Sequence, residues 1–193
     1  MELVLSTRNA HKLREFQALL EPHRVLPLPD EVELPPETGE TFADNALVKA
    51  RAAALATGLP AFADDSGIAA AALGGRPGVY SARYAGEHAS DEENLQKLLD
   101  EVPDEGDRGV AYVCAVAYAE PGGEAPRVFE ARCEGRLAHE PRGDGGFGYD
   151  PAFVPIDRDD GRTMAELTPA EKDAISHRGR AARLLLDWLG ERP

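Results

Sequence analysis

The sequence predicts an α/β fold built on a mixed central sheet. Three observations carry that reading. Short apolar strands alternate with helix-spaced segments from Glu2 to Phe62. Two period-two runs then face each other across Pro121-Gly122-Gly123, which reads as a hairpin. Capped helices close the chain. Early alternation alone would give a parallel sheet; the hairpin makes it mixed.

Taken in order, Glu2 to Ser6 is a first strand, and Leu13, Phe16 and Leu20 recur at helical spacing over Ala10 to Leu20, with Asn9 as N-cap. A second strand spans Arg24 to Leu28, and Pro27 to Pro36 is loop. Thr41 and Asp44 resemble a capping box ahead of an Ala-rich helix, Phe42 to Thr57, stopped by Gly58 and Pro60. The Phe62 strand follows, then an Asp64-Asp65-Ser66-Gly67 turn, then a small-residue strand from Ile68 to Leu73. Ser90 and Glu93 box a helix with an apolar face of Leu95, Leu98, Leu99 and Val102. The hairpin strands are Val110 to Ala119 and Arg127 to Leu137. Thr168, Pro169 and Glu171 start another helix. The last helix begins near Ser176 and is expected to bury Ala181, Leu184, Leu185, Trp188 and Leu189.

With 193 residues and 42% hydrophobic content, the chain has enough material for one sizeable core or two joined lobes. The whole chain, 1–193, is expected to be a single catalytic domain, with the acidic helix and hairpin (approximately 80–140) forming a second lobe. No apolar run approaches a membrane span, and the first residues lack the basic segment of a signal peptide, so a cytoplasmic location is expected. Cys114 and Cys133 are expected as buried reduced thiols. A net charge of −14 argues against a general nucleic-acid binder. Basic islands at Arg8, His11 and Lys12, and at Lys172, His177 and Arg178, would suit a small anion.

Adjacent carboxylates such as Asp64 and Asp65 repel unless a cation or proton lies between them. A divalent metal is the usual answer, and metal plus carboxylate activates water against phosphate. The same four residues also make an ordinary solvated turn. Ser6 to Lys12 leaves a strand and enters a helix, where free N–H groups and Lys12 suit phosphate, although the Walker glycines are missing. Glu37-Thr38-Gly39 precedes the helix carrying Asn45 and Lys49 on one face; Glu37 suits a metal and Lys49 a phosphate. Gly143 to Pro151 interleaves glycines with Phe147 and Tyr149, offering close backbone approach and a stacking ring. Ser176 and His177 do not make a hydrolase triad, since no G-x-S-x-G elbow exists. His177 and Arg178 read better as donors to a ligand.

In this order, Thr7 to Lys12, Glu37-Thr38-Gly39, Asp64-Asp65-Ser66-Gly67, Gly74 to Arg83, Gly146 to Pro151 and Ser176-His177-Arg178 closely resemble the inosine triphosphate pyrophosphatase family, which acts on noncanonical purine nucleotides. The resemblance implies hydrolysis of ITP, dITP and XTP to the monophosphate and pyrophosphate. It implies Mg²⁺, a homodimer, and two lobes with the active-site cleft between them. By the match, Thr7, Arg8, Asn9, Ala10, His11 and Lys12 hold phosphate, and Asp65 binds metal, with Glu37, and accepts a proton. Ser66 touches substrate, and Phe147, Gly148, Tyr149, Asp150, Lys172, His177 and Arg178 complete the nucleotide site. The competing readings are a nucleotide sensor without turnover and a phosphatase releasing orthophosphate.

Overall fold

A computed structural model describes residues 1–123 and 125–192. Strand β1 (Glu2–Leu5) leads to helix α1 (Ala10–Leu19), and β2 (Arg24–Pro27) pairs parallel with β1, Leu3 opposite Val25. Helix α2 (Phe42–Thr57) starts at Thr41, whose hydroxyl accepts from the Asp44 N–H and donates to the Asp44 carboxylate. The expected capping box is thus half made. The short Asp side chain folds onto the hydroxyl rather than onto the backbone N–H of the cap.

Strand β3 (Ala61–Ala70) overturns one expectation. Asp64-Asp65-Ser66-Gly67 is not a turn but the middle of this ten-residue strand. Asp64 is only 1% exposed and Asp65 7%. Solvent, which normally compensates turn carboxylates, is replaced here by buried cations. The separate strand expected from Ile68 to Leu73 is divided: Ile68 to Ala70 finish β3, and Ala71–Leu73 form a 3-10 turn.

A second 3-10 segment covers Gly78–Arg83. Helix α3 (Asp91–Glu101) carries the complete Ser90–Glu93 capping box. Strands β4 (Gly109–Ala119) and β5 (Arg127–Leu137) follow, and the unexpected β6 (Phe153–Pro155) pairs antiparallel with β5. Three residues are too few for a periodic signal. Helix α4 (Pro169–Ile175) opens on its Thr168–Glu171 box, and α5 is His177–Gly190.

The six strands are ordered β2-β1-β3-β4-β5-β6, and β1 is parallel to both its neighbours. With the antiparallel β5–β6 pair, the sheet is mixed as expected. No helix of the described residues is long and apolar enough to cross a membrane.

The chain divides into two compact units. The first takes Met1–Asp65, Cys114–Ala131 and the segment from Arg178 onward. One of its cores gathers Leu3, Leu5, Phe16, Phe62 and Leu185, with Phe16 and Phe62 edge to face at 5.1 Å. Each such ring contributes about 2–3 kcal/mol by burial. Its other core is almost all alanine: Ala46, Ala50 and Ala53 of α2 with Ala61, Ala63, Ala115 and Ala117. Helix α5 buries Ala181, Ala182, Leu185 and Leu189, but Leu184 is 45% exposed and Trp188 only partly buried. The buried stripe runs 181–185–189, one turn per step, so Leu184 falls outside it. The second unit, Ser66–Val113 and Arg132–His177, has a core of Leu95, Leu98, Tyr112, Phe153 and Met164.

Candidate active site

In the first unit, buried charges gather around Asp64 and Asp65. Lys12 Nζ, one turn into α1, lies 3.0 Å from Asp64 Oδ2. Arg178, at the start of α5, donates to the same oxygen from Nε at 3.3 Å and Nη2 at 3.2 Å. Its Nη1 donates to Glu15 Oε2 at 2.5 Å. Burial alone would raise the Asp64 carboxyl, but Lys12, Arg178 and Lys49 hold it well below the usual carboxylate range. Asp64 is therefore a fixed negative charge.

Asp65 differs from its neighbour. Asn45 Nδ2 donates to Asp65 Oδ2 at 2.8 Å, and Asn45 Oδ1 accepts from the Gly39 N–H at 2.7 Å. Gly39 has no side chain for a reason: a Cβ there would lie 2.7 Å from Asp44 Cβ. That close approach seats the Glu37-Thr38-Gly39 loop on α2. Lys49 Nζ donates to Glu37 Oε1 at 2.5 Å and to the Asp64 carbonyl at 2.8 Å, and lies 3.9 Å from Asp65 Oδ1. Burial raises the Asp65 carboxyl; Lys49 opposes this and Glu37 adds to it, leaving a net rise. Burial opposes the charged form of Lys49, but Asp64, Asp65 and Glu37 outweigh it and raise its pKa. Glu37 and Asp65 thus aim two carboxylates at one positive charge. That donor set fits a hard cation that takes few protein oxygens and completes its shell with water and phosphate.

Cys114, also in this unit, is fully buried, and burial pushes its thiol up to about 12, with Asp64 adding to the rise. It is a free, inert thiol, as is expected of a structural cysteine.

In the second unit the hub is Asp150, 3% exposed. Its Oδ2 accepts from Lys172 Nζ at 2.8 Å and from the Phe147 N–H at 3.0 Å; its Oδ1 accepts from the Tyr112 hydroxyl at 3.0 Å. Lys172 Nζ also sits over the half-buried Phe147 ring, 5.0 Å from its centre. Tyr112 stacks on His177 at 4.5 Å and on Phe153 at 4.3 Å. The Gly148 N–H donates to Asp91 Oδ2 at 2.9 Å. A half-buried aromatic face beside buried donors can stack and hydrogen-bond a flat heterocycle.

The structure brings together Lys12, Glu37, Lys49, Asp65 and Arg178 in the first unit. In the second it brings together Phe147, Gly148, Tyr149, Asp150, Lys172 and His177. Ser66 follows Asp65 in β3 and is half-buried. Thr7 accepts from the Asn9 N–H, and Asn9 in turn accepts from the N–H groups of His11 and Lys12. Those two amides are engaged by the cap, and Ala10 is the first residue of the helix. The Arg8 guanidinium donates to the carbonyls of Leu28, Pro29, Asp30 and Val32 and so fastens the loop after β2. His11 is exposed, 2.9 Å from Arg14. Sequence reasoning missed Glu15 and Tyr112. Glu15 follows Lys12 by three on a helix and so shares its face; Tyr112 alternates with Val110 and Cys114 on a strand. Both signals look like ordinary surface and core.

Residues 3–188 match the model of the Ham1 family. The chain is 52% identical over 195 residues to a dITP/XTP pyrophosphatase of Geobacter sulfurreducens, covering 97% of this chain and 96% of that one. A dITP/XTP pyrophosphatase of Streptomyces coelicolor is 50% identical, with 98% and 97% covered. Among solved structures, a HAM1 protein from Coxiella burnetii superposes with a TM-score of 0.89 at 46% identity, and each chain is covered in full.

Proposed function

The chain belongs to the Ham1 family, and on that footing we propose that it hydrolyses noncanonical purine nucleoside triphosphates, namely dITP, ITP and XTP, to the nucleoside monophosphate and pyrophosphate. The supporting observation is the ionic group of Lys12, Lys49 and Arg178 set among Glu15, Glu37, Asp64 and Asp65, in which Lys49, Arg178, Asp64 and Asp65 are buried. Cations held in place by carboxylates are preorganised for charge that grows on a leaving pyrophosphate.

Water adds across the α–β anhydride bond, and that bond breaks to leave monophosphate and pyrophosphate. Asp65 takes the proton of the water; its raised carboxyl suits a base better than the acidic Asp64 does. Lys12 and Lys49 hold phosphate oxygens. Asp64 keeps Lys12 and Arg178 in position. Glu37 and Asp65 would hold Mg²⁺, which when bound offsets phosphate charge and acidifies water. Phe147 stacks on the base, while Lys172 or His177 donates to its 6-oxo group. The 6-amino group of adenine would leave that donor unpaired, at a cost of about 1–3 kcal/mol. Arg178, committed to two carboxylates, is given an electrostatic role rather than the base contact expected from the sequence. The reading extends to a cytoplasmic homodimer that does not bind nucleic acid, in keeping with a net charge of −14.

The test is a panel of dITP, ITP, XTP, GTP and ATP with Mg²⁺, scored for pyrophosphate and orthophosphate. Pyrophosphate from the first three, well above ATP, is expected. Orthophosphate would make the protein a phosphatase, and tight binding with neither product would make it a sensor.

A further inference from the structure

The Gly74 to Arg83 motif has no part in the chemistry above, yet one of its residues joins two segments that do. Ser81 is 5% exposed. Its Oγ accepts from the Ile68 N–H at 2.9 Å and donates to the Gly78 carbonyl at 2.6 Å. Its own carbonyl accepts from the buried Tyr149 hydroxyl at 2.7 Å. The side chain of Ser81 therefore holds β3 just past Ser66, and its backbone holds the Phe147–Asp150 loop. Gly67 makes the first contact possible: a Cβ there would run into Ser81 Oγ and Gly78 O. Asn94 fixes the same segment from α3, donating to the Ala82 carbonyl at 3.2 Å and accepting from the Ala85 N–H at 2.8 Å.

We infer that Ser81 is a positioning residue, coupling the end of β3 that carries Ser66 to the loop that carries Phe147. The inference rests on the proposed activity. Ser81 touches no reacting atom; it fixes the distance between a strand residue and a loop tyrosine, both inside the second unit. A small displacement at such a joint is felt in both kcat and KM.

The experiment compares wild type, Ser81→Ala, Tyr149→Phe and the double variant, with dITP and Mg²⁺. Tyr149→Phe keeps the ring and loses only the donor, so it is expected to fold even if Ser81→Ala does not. Each lost tie should cost about fivefold in kcat/KM. For Tyr149→Phe the loss is expected mainly in KM, and for Ser81→Ala in both constants. The double variant should lose less than the product of the single losses, because the two ties act as one joint. Amide exchange at Ile68 should quicken in Ser81→Ala. Unchanged kcat and KM in Tyr149→Phe well below its melting temperature, or fully multiplicative losses, would overturn the inference. Failure of the wild type to release pyrophosphate would instead overturn the proposed activity.

Discussion

Asp64 and Asp65 are adjacent and chemically alike, yet their surroundings give them different work. Asp64 is shared by Lys12 and Arg178, so its charge belongs to the fold. Removing it takes a carboxylate from half-buried Lys12 and leaves buried Arg178 with Glu15 alone. Asp64→Asn is therefore expected to cost about 3–5 kcal/mol, read as a lower urea midpoint with an unchanged slope. Asp65 accepts from the Asn45 amide and faces Lys49 at 3.9 Å. Asp65→Asn should remove nearly all pyrophosphate release and leave the urea midpoint near that of wild type; substantial turnover in that variant would sink the assignment. The paired carboxylates, Lys12 and Lys49 were legible only through the motifs in register; taken alone, each reads as an ordinary turn or surface charge. Glu15 was not, because a charged residue on an amphipathic helix is ordinary until its partner, more than 160 positions away in the chain, is seen.

Helix ends were the most legible elements. Asn9, Ser90 and Thr168 all cap as their local sequence requires, because a cap is a contact over two or three residues. The turn assigned to Asp64-Asp65-Ser66-Gly67 failed for the converse reason: Lys12 and Arg178, which let that segment run on as a strand, are distant in sequence. Helix α4 gives a test at this scale, because it carries Lys172 and is short. Glu171 locks its start, accepting from Arg162 Nη2 at 2.7 Å and from the Thr168 N–H at 2.9 Å. Arg162, then Thr168, lower the Glu171 pKa to about 2. A folded value below the unfolded one, about 4.3, means that the lock contributes fully above that pH and is lost as pH falls toward 2. Amide protection at Thr168 and Glu171, corrected for intrinsic exchange, should hold from neutrality to about pH 4.5 and then decline. In Glu171→Ala it should be low throughout. Protection that ignores pH, or a variant that matches wild type, would show that α4 is held by something else.

For the molecule as a whole, charge sets the terms of approach. The chain carries −14, and the ionic group itself pairs three cations with four carboxylates. A triphosphate is thus repelled at long range; under the proposed function it is attracted only on contact, where its oxygens would meet Lys12 and Lys49. Salt screens the long-range part first, since the Debye length shortens from about 30 Å at 0.01 M to about 8 Å at 0.15 M. Buried pairs within 4 Å are screened far less. Raising KCl over that range, with Mg²⁺ fixed, should therefore increase kcat/KM for dITP, and kcat should move little. The effect should be largest at low Mg²⁺, where more of the nucleotide is uncomplexed and carries its full charge. A protein that draws its substrate in by a positive field would show the opposite slope. A steady fall of kcat/KM with salt would mean that the cations around Asp64 and Asp65 outweigh the acidic surface even at a distance, and the approach would have to be rewritten as steering rather than as contact capture.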